Sequence, residues 1–308
     1  MALIALKIDV DTYRGTREGA LRLADLLGRL GVHATFLFSL GPDHTGRAIR
    51  RAFRPGFLGK VQRTSVLEHY GLKTLMYGVL LPGPRIGRRC ADQMRAIAAG
   101  GFEVGVHTWD HVRWQDGVSG ASEAWTRREL LLARDEFAEV FGRMPLVHGA
   151  AGWQMNAFVP ALERELGFRY ASDARGSAPF LPQLADGSVG VPQLPTTLPT
   201  LDELIGTDGL TAETACDRLR ASTRAASLPA QVFTLHAELE GGQLAPQFER
   251  LLAGWLADGL SIVPMVDLAT SLQGAVLPRH RIEMREIPGR SGVLAVQGPQ
   301  VAEAAIAC

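Results

Sequence analysis

No stretch of the sequence approaches the roughly 18 consecutive apolar residues needed to cross a bilayer, so a membrane-spanning helix is not expected. The opening Met1-Ala2-Leu3-Ile4-Ala5-Leu6 is too short for the hydrophobic region of an export signal and has no basic residue ahead of it. It runs directly into Lys7 and Asp9 and reads as a strand. Cysteine is scarce: Cys90, Cys216 and Cys308 are odd in number and far apart, which excludes a disulfide scaffold and fits free thiols in the cytoplasm. Net charge is lacking too. With 32 basic against 32 acidic side chains, a general nucleic-acid binder is disfavoured and no nucleic-acid partner is expected. No region is disordered by composition and no internal repeat is visible, while 308 residues at 46% hydrophobic content suffice for a large α/β core.

What is present is an alternation of apolar runs and amphipathic stretches. Residues 3 to 8 read as a strand, Leu21, Leu23, Ala24, Leu27 and Leu30 as the apolar face of a helix capped by Gly31, and His33 to Phe38 as a second strand. That order implies parallel pairing. Further strands are expected near 102–106, 146–147, 168–173, 231–236 and 260–263, with Val191 to Pro195 as an edge strand in a Pro/Gly-rich wall over residues 174–200. The reading is α/β: one domain of roughly seven or eight strands over residues 1–274. After Gly274 the signals fade, and 275–308 is read as an irregular tail without chemistry.

Residues 41–89 interrupt the rhythm. Arg47, Arg50, Arg51, Arg54, Lys60 and Arg63 stand among Ile49, Phe53, Phe57 and Leu58, with Asp43 and Glu68 as the acidic residues there. Such a basic, amphipathic insertion suits an anionic membrane surface, the alternative being a solvated helical hairpin.

Chemistry concentrates at His107-Thr108-Trp109-Asp110-His111, which follows the apolar run Phe102 to Val106. If the chain turns helical there, the two histidines four apart share a face and can reach one metal ion. Near the start, Asp9 and Asp11 are two apart on a strand and project to one side, where paired carboxylates repel unless a cation intervenes. Asp11, His107 and His111 would form a two-His, one-carboxylate set for one divalent ion, zinc by default, with cobalt, manganese or nickel as alternatives. Asp9 is left as base for an attacking water, and His236, at the end of another strand, as acid for the leaving group. His148 to Trp153 is a loop of small residues in which Ala151, Gly152 and Trp153 can approach a ligand closely. Trp114 is expected to line a pocket or to pack in the core, and Asp173 ends a strand.

The combination of Ile8-Asp9-Val10-Asp11, the histidine pair and Leu235-His236 resembles the polysaccharide deacetylase family of metal-dependent amide hydrolases, from Ile4 to about Leu272. The resemblance implies a distorted (β/α) barrel, Asp9 as base, Asp11, His107 and His111 as metal ligands, His236 as acid, and Leu235 lining the acyl pocket. The arginine that steadies the catalytic Asp in the family's R-x-P-type loop is replaced here by His148, which leaves Asp173 without its usual partner. Ile8 to Gly19, Ala150 to Trp153, Pro195 to Thr200, Thr234 to Glu238 and Glu240-Gly241 further resemble deformylases that act on a lipid-linked formamido sugar. This implies a lipid-linked amino sugar as partner and peripheral attachment to the cytoplasmic leaflet of the inner membrane. A deacetylase of another N-acyl sugar and a non-catalytic membrane-surface scaffold are the competing readings.

Overall fold

Leu3–Val10 is an almost unbroken apolar run, the pattern of a strand covered on both faces, and it forms the central strand β1. The computed structural model describes residues 2–48, 72–225, 229–290 and 292–301. In chain order the strands that follow are β2 (Thr35–Ser39), β3 (Glu103–Thr108), β4 (Val147–His148), β5 (Tyr170–Ala171), β6 (Leu181–Pro182), β7 (Ala230–His236) and β8 (Ser261–Pro264). A seven-stranded sheet runs β5-β4-β3-β2-β1-β7, with β8 also on β1, and every pairing in it is parallel. Strand β1 therefore has three neighbours: β7 along nearly its whole length, β8 beside Leu3 to Leu6, and β2 beside Lys7 to Val10.

The sheet curls but its outer strands do not pair directly. The wall segment, expected as an edge strand, spans the gap between them. Leu194 N donates to Ala171 O at 2.8 Å on the β5 side, and Thr197 N donates to Val232 O at 3.1 Å on the β7 side. The result is the distorted (β/α) barrel expected from the sequence.

Alternation along the strands divides the side chains into two layers. Ile4, Leu6, Ile8 and Val10 of β1, with Phe36, Phe38, Phe233 and Leu235, face outward into the main core. That core is covered by α1 (Ala20–Arg29), α2 (Ala91–Ala99) and other helices. The short α3 (His111–Gly117) starts where Asp110 Oδ1 accepts from Arg113 N at 3.1 Å. The long α4 (Glu123–Phe141) is capped by Ser122 and ends at Gly142, whose φ of 67° takes the left-handed turn that stops a helix. Helices α6 (Ala212–Ala225) and α7 (Ala245–Ala257) complete the layer, α5 (Val159–Glu165) packs in a smaller cluster with Trp114 and Leu130, and α8 (Met265–Ser271) sends Met265 and Leu268 to the interior of the barrel. Inside the barrel Ala5, Leu37, Val147, Leu194 and Val232 pack together below the ends of the strands.

Two expectations need correction or restriction. The tail is not irregular: β9 (Arg279–Glu286) and β10 (Val293–Gln300) form an antiparallel hairpin that joins β6 in a three-stranded sheet. The hairpin was hidden because β9 is largely solvent-facing and its Arg and Glu residues mask the strand period, while only Leu294, Ala295 and Val296 of β10 are buried. In the basic insertion, Arg50, Arg51, Arg54, Lys60 and Arg63 lie outside the described residues. Among the described residues no helix is long and apolar enough to cross a membrane.

Candidate metal centre and active site

The parallel strands bring their C-terminal ends together, and polar side chains of the inner layer meet there. Asp9 and Asp11 arrive from the end of β1, His107 from β3, His111 from the first turn of α3, and His236 from β7, where it is in register with Asp9.

Asp11 Oδ1 lies 3.2 Å from His107 Nε2 and 3.3 Å from His111 Nε2. On its other nitrogen His107 Nδ1 is 2.7 Å from Gly149 O, an atom that only accepts, so Nδ1 carries the hydrogen. In the neutral ring Nε2 then presents a lone pair towards a carboxylate oxygen that itself has no hydrogen-bond partner. Acceptor facing acceptor is unfavourable unless a cation or a proton lies between them, and the three ligand atoms surround one such point. The residues fit a divalent metal, and the Gly149 carbonyl holds His107 in the ligating tautomer. Burial by itself raises the Asp11 carboxyl, but His111, His107 and His236 together outweigh it and hold it well below the usual carboxylate range.

The loop carrying Asp11 is fastened from behind by Glu238. Its Oε1 accepts from Asp11 N at 3.1 Å, from Thr12 N at 2.9 Å and from Thr12 Oγ1 at 2.8 Å. Burial, then the charge of Asp11, push Glu238 up to about 8. His236 is held through its backbone, its N donating to Glu240 Oε2 at 2.8 Å. Burial lowers the imidazole, but Asp11, Asp202 and Asp9 reverse this and raise it above its ordinary value.

Asp9 is buried beside His107, with Oδ1 3.7 Å from His107 Nδ1 and without a hydrogen-bond partner. Its Oδ2 lies 3.2 Å from Lys7 Nζ. Lys7 was read only as a charge that ends an apolar run; a lysine inside a two-faced buried strand was the available signal.

The expected substrate-binding residues separate into two groups. Gly152 and Trp153 are both in left-handed conformation, with φ of 61° and 53°, Gly152 against Gln115 and the buried Trp153 beside His236. That turn sets the Trp153 indole edge-on to His236, with 6.5 Å between ring centroids. Ala151 is fully buried beneath the turn. The other three lie elsewhere. Leu235 is one residue from His236 on a strand, so it points to the opposite face and packs in the outer core; Thr234 is the interior residue. Trp114 is packed rather than pocket-lining, its Nε1 donating to Gln154 O at 2.7 Å. Asp173 is fully buried behind the loop, with Oδ1 accepting from Ala150 N at 2.7 Å and Oδ2 from Gln193 Nε2 at 2.6 Å.

Nor is Asp173 without a partner. His148 Nδ1 sits 3.0 Å from Asp173 Oδ1 and 2.6 Å from Glu163 Oε1, all three residues buried. Burial disfavours the charged imidazole, but Asp173 and then Glu163 raise it to about 10. This second acidic and histidine cluster supports the backbone of the Ala150 to Trp153 loop. Two arginines also escaped notice in the sequence: Arg175 and, from the turn between β9 and β10, Arg290 stack on Trp153 at 5.1 and 4.8 Å, and both bond Glu203 Oε1.

A parallel barrel with a two-His, one-Asp cluster and an extra Asp and His at its strand ends defines a class of amide hydrolases, and comparison with known proteins agrees. The polysaccharide deacetylase family matches residues 4–171, and the chain belongs to that family. It is a hydrolase of carbon–nitrogen amide bonds with a deacetylase or deformylase role. More particularly, it is 35% identical over 298 residues to the probable 4-deoxy-4-formamido-L-arabinose-phosphoundecaprenol deformylase of Shewanella sediminis, covering 97% of this chain and 95% of that protein. To the protein of the same name from Wigglesworthia glossinidia brevipalpis it is 32% identical over 284 residues, covering 92% and 98%. The same fold occurs in a crystal structure from Mycobacterium smegmatis named as a polysaccharide deacetylase, with TM-score 0.62 and 20% identity over 93% of this chain and 96% of that one.

Proposed function

We propose that this protein hydrolyses the formamide of undecaprenyl phosphate 4-deoxy-4-formamido-L-arabinose, releasing formate and the 4-amino sugar that serves lipid A modification and polymyxin resistance. The observation that carries the reading is the convergence of Asp11, His107 and His111 on one point beside Asp9 and His236. Relatives bearing that deformylase name along nearly their whole length support the choice of substrate.

Asp11, His107 and His111 would hold one divalent ion, with zinc the default for these ligands and cobalt, manganese or nickel as alternatives. Bound there, the ion supplies Lewis-acid polarisation of the formyl carbonyl. Asp9 takes a proton from the attacking water as general base. His236 gives a proton to the sugar nitrogen as the carbon–nitrogen bond breaks, so water is divided between formate and amine. The carboxylates of Asp202 and Asp9 favour the protonated, donating form of His236. Trp153 fixes one side of that imidazole. Leu235, facing the outer core, does not select formyl over acetyl; residues of the inner face, Thr234 among them, would set that wall.

The substrate's lipid places the enzyme as a peripheral protein on the cytoplasmic leaflet of the inner membrane, approached through the basic insertion. Formate release from the purified lipid-linked formamide, measured with and without a chelator, tests the proposal. Turnover abolished by chelation and restored by a divalent metal is expected. Turnover of N-acetyl sugars with none of the formamide would move the reading to a deacetylase of another N-acyl sugar. Protein inert on both classes even when supplied with a divalent metal would leave the membrane-surface scaffold.

A further inference from the structure

Lys7 is fully buried in the middle of β1, on the face that carries Asp9. Taking an ammonium out of water is costly, and proteins keep one inside only where its partners are fixed. Here the partners are few and specific. Nζ is 3.2 Å from Asp9 Oδ2, donates to Ser172 O at 3.1 Å, and lies 5.3 Å from the centre of the Trp153 ring. Space for the stem comes from Gly149: a Cβ there would overlap Leu37 and stand 3.1 Å from Lys7 Cε. The loop after β4 thus lacks a side chain where the lysine passes.

The pairing is one-sided. Lys7 engages Oδ2 alone, while Oδ1 of the same carboxylate is buried, bare of hydrogen bonds, and turned towards His107. Without Lys7 the carboxylate could rotate about its last bond and swing Oδ2 towards the same imidazole.

We propose that Lys7 is the positioning residue for Asp9: by binding Oδ2 from inside the barrel it fixes the carboxylate plane beside His107, in the orientation from which Asp9 takes the proton of the attacking water. Lys7 itself touches neither substrate nor reacting atoms. The inference rests on the reading of Asp9 as the base and deepens it.

The test is a double-mutant cycle on formate release from the lipid-linked formamide, with metal content per chain and melting temperature measured alongside. Lys7→Met should lower kcat about 100-fold, the scale of a misplaced reacting group. KM should stay within about 3-fold, and metal content should equal the parent's, because the ligand set is untouched. Lys7→Arg should recover most of the lost kcat. In an Asp9→Asn background, Lys7→Met should cost nothing further, because its effect passes through the carboxylate. A purely structural lysine gives the same fold-loss in both backgrounds, and that result overturns the proposal, as does parental kcat in Lys7→Met. Should Lys7→Met fail to fold, the neutral pair Lys7→Met/Asp9→Asn against Asp9→Asn, together with Lys7→Arg, still decides it. Failure of the underlying reading looks different: Asp9→Asn itself would then turn over at the parental rate.

Discussion

Asp9, on β1, and Asp11, in the loop just past its end, meet different neighbours, which separates their proposed tasks. Asp11 looks at two imidazole Nε2 atoms, Asp9 at an ammonium through Oδ2 and at the Nδ1 side of His107 through Oδ1. Asp11→Ala or His107→Ala should therefore lose the metal as well as turnover. Asp9→Asn should keep the metal and lose about 100-fold to 10,000-fold in rate. Metal analysis beside formate release checks both, and full metal content in the ligand variants would sink the assignment. His148 yields a stability prediction. Its value in the folded state, about 10, lies above the ordinary 6.5, so the folded chain binds the extra proton between them. The stabilisation is complete below 6.5 and is lost as pH rises through about 10. The melting temperature should fall across that interval, and His148→Gln, less stable at neutral pH, should show a shallower fall. The convergence of Asp9, Asp11, His107, His111 and His236 was legible in the sequence because spacing and strand-end position are local properties. Arg175 and Arg290 were not, because each acquires its meaning from Trp153, and Lys7 was not, because its burial depends on Gly149 and Ser172 far along the chain. Leu235 was misplaced by motif adjacency, where strand parity sends neighbours to opposite faces.

Among the elements, the β9–β10 hairpin departs most from expectation, and it reaches the site. Gln297 N donates to Arg175 O at 2.7 Å and Arg175 N to Ala295 O at 2.9 Å, so β10 is stitched to the segment that bears Arg175. The intervening turn delivers Arg290 onto Trp153 and, through Nη2, to Thr200 Oγ1 at 3.2 Å. Removing the chain after Gly274 should thus do more than uncover the surface on which Ala295 packs. It frees one face of the indole that backs His236. Arg290→Ala is the milder version, expected to lower kcat by about 10-fold with metal content intact; an unchanged kcat would confine the hairpin to stability. The strands of the main sheet were legible from their buried runs, whereas a hairpin with one solvated, highly charged strand has no such run to display.

For the molecule as a whole, balanced net charge conceals an uneven distribution, since the basic insertion is offset by acidic residues elsewhere. If that segment meets the anionic leaflet, Arg50→Glu, Arg51→Glu and Arg54→Glu together should release the protein from anionic vesicles. Turnover of the lipid-linked substrate should then fall far more than that of a short-chain analogue, and salt should weaken binding by the parent. Equal vesicle binding by parent and variant would reduce the insertion to a solvated hairpin. The three-partner strand β1 has a different consequence, one of timing. It leaves the ribosome before β7 and β8, and its pairs Leu3 with Ala230 and Leu3 with Ser261 must wait for most of the domain. Contacts so distant in the chain slow folding and leave an apolar strand uncovered during synthesis. Within Leu3 to Val10 the charges are Lys7 and Asp9, the same pair that meets in the finished barrel. Before the barrel closes they act as gatekeepers, interrupting a stretch that would otherwise be well suited to pairing with another unfinished chain.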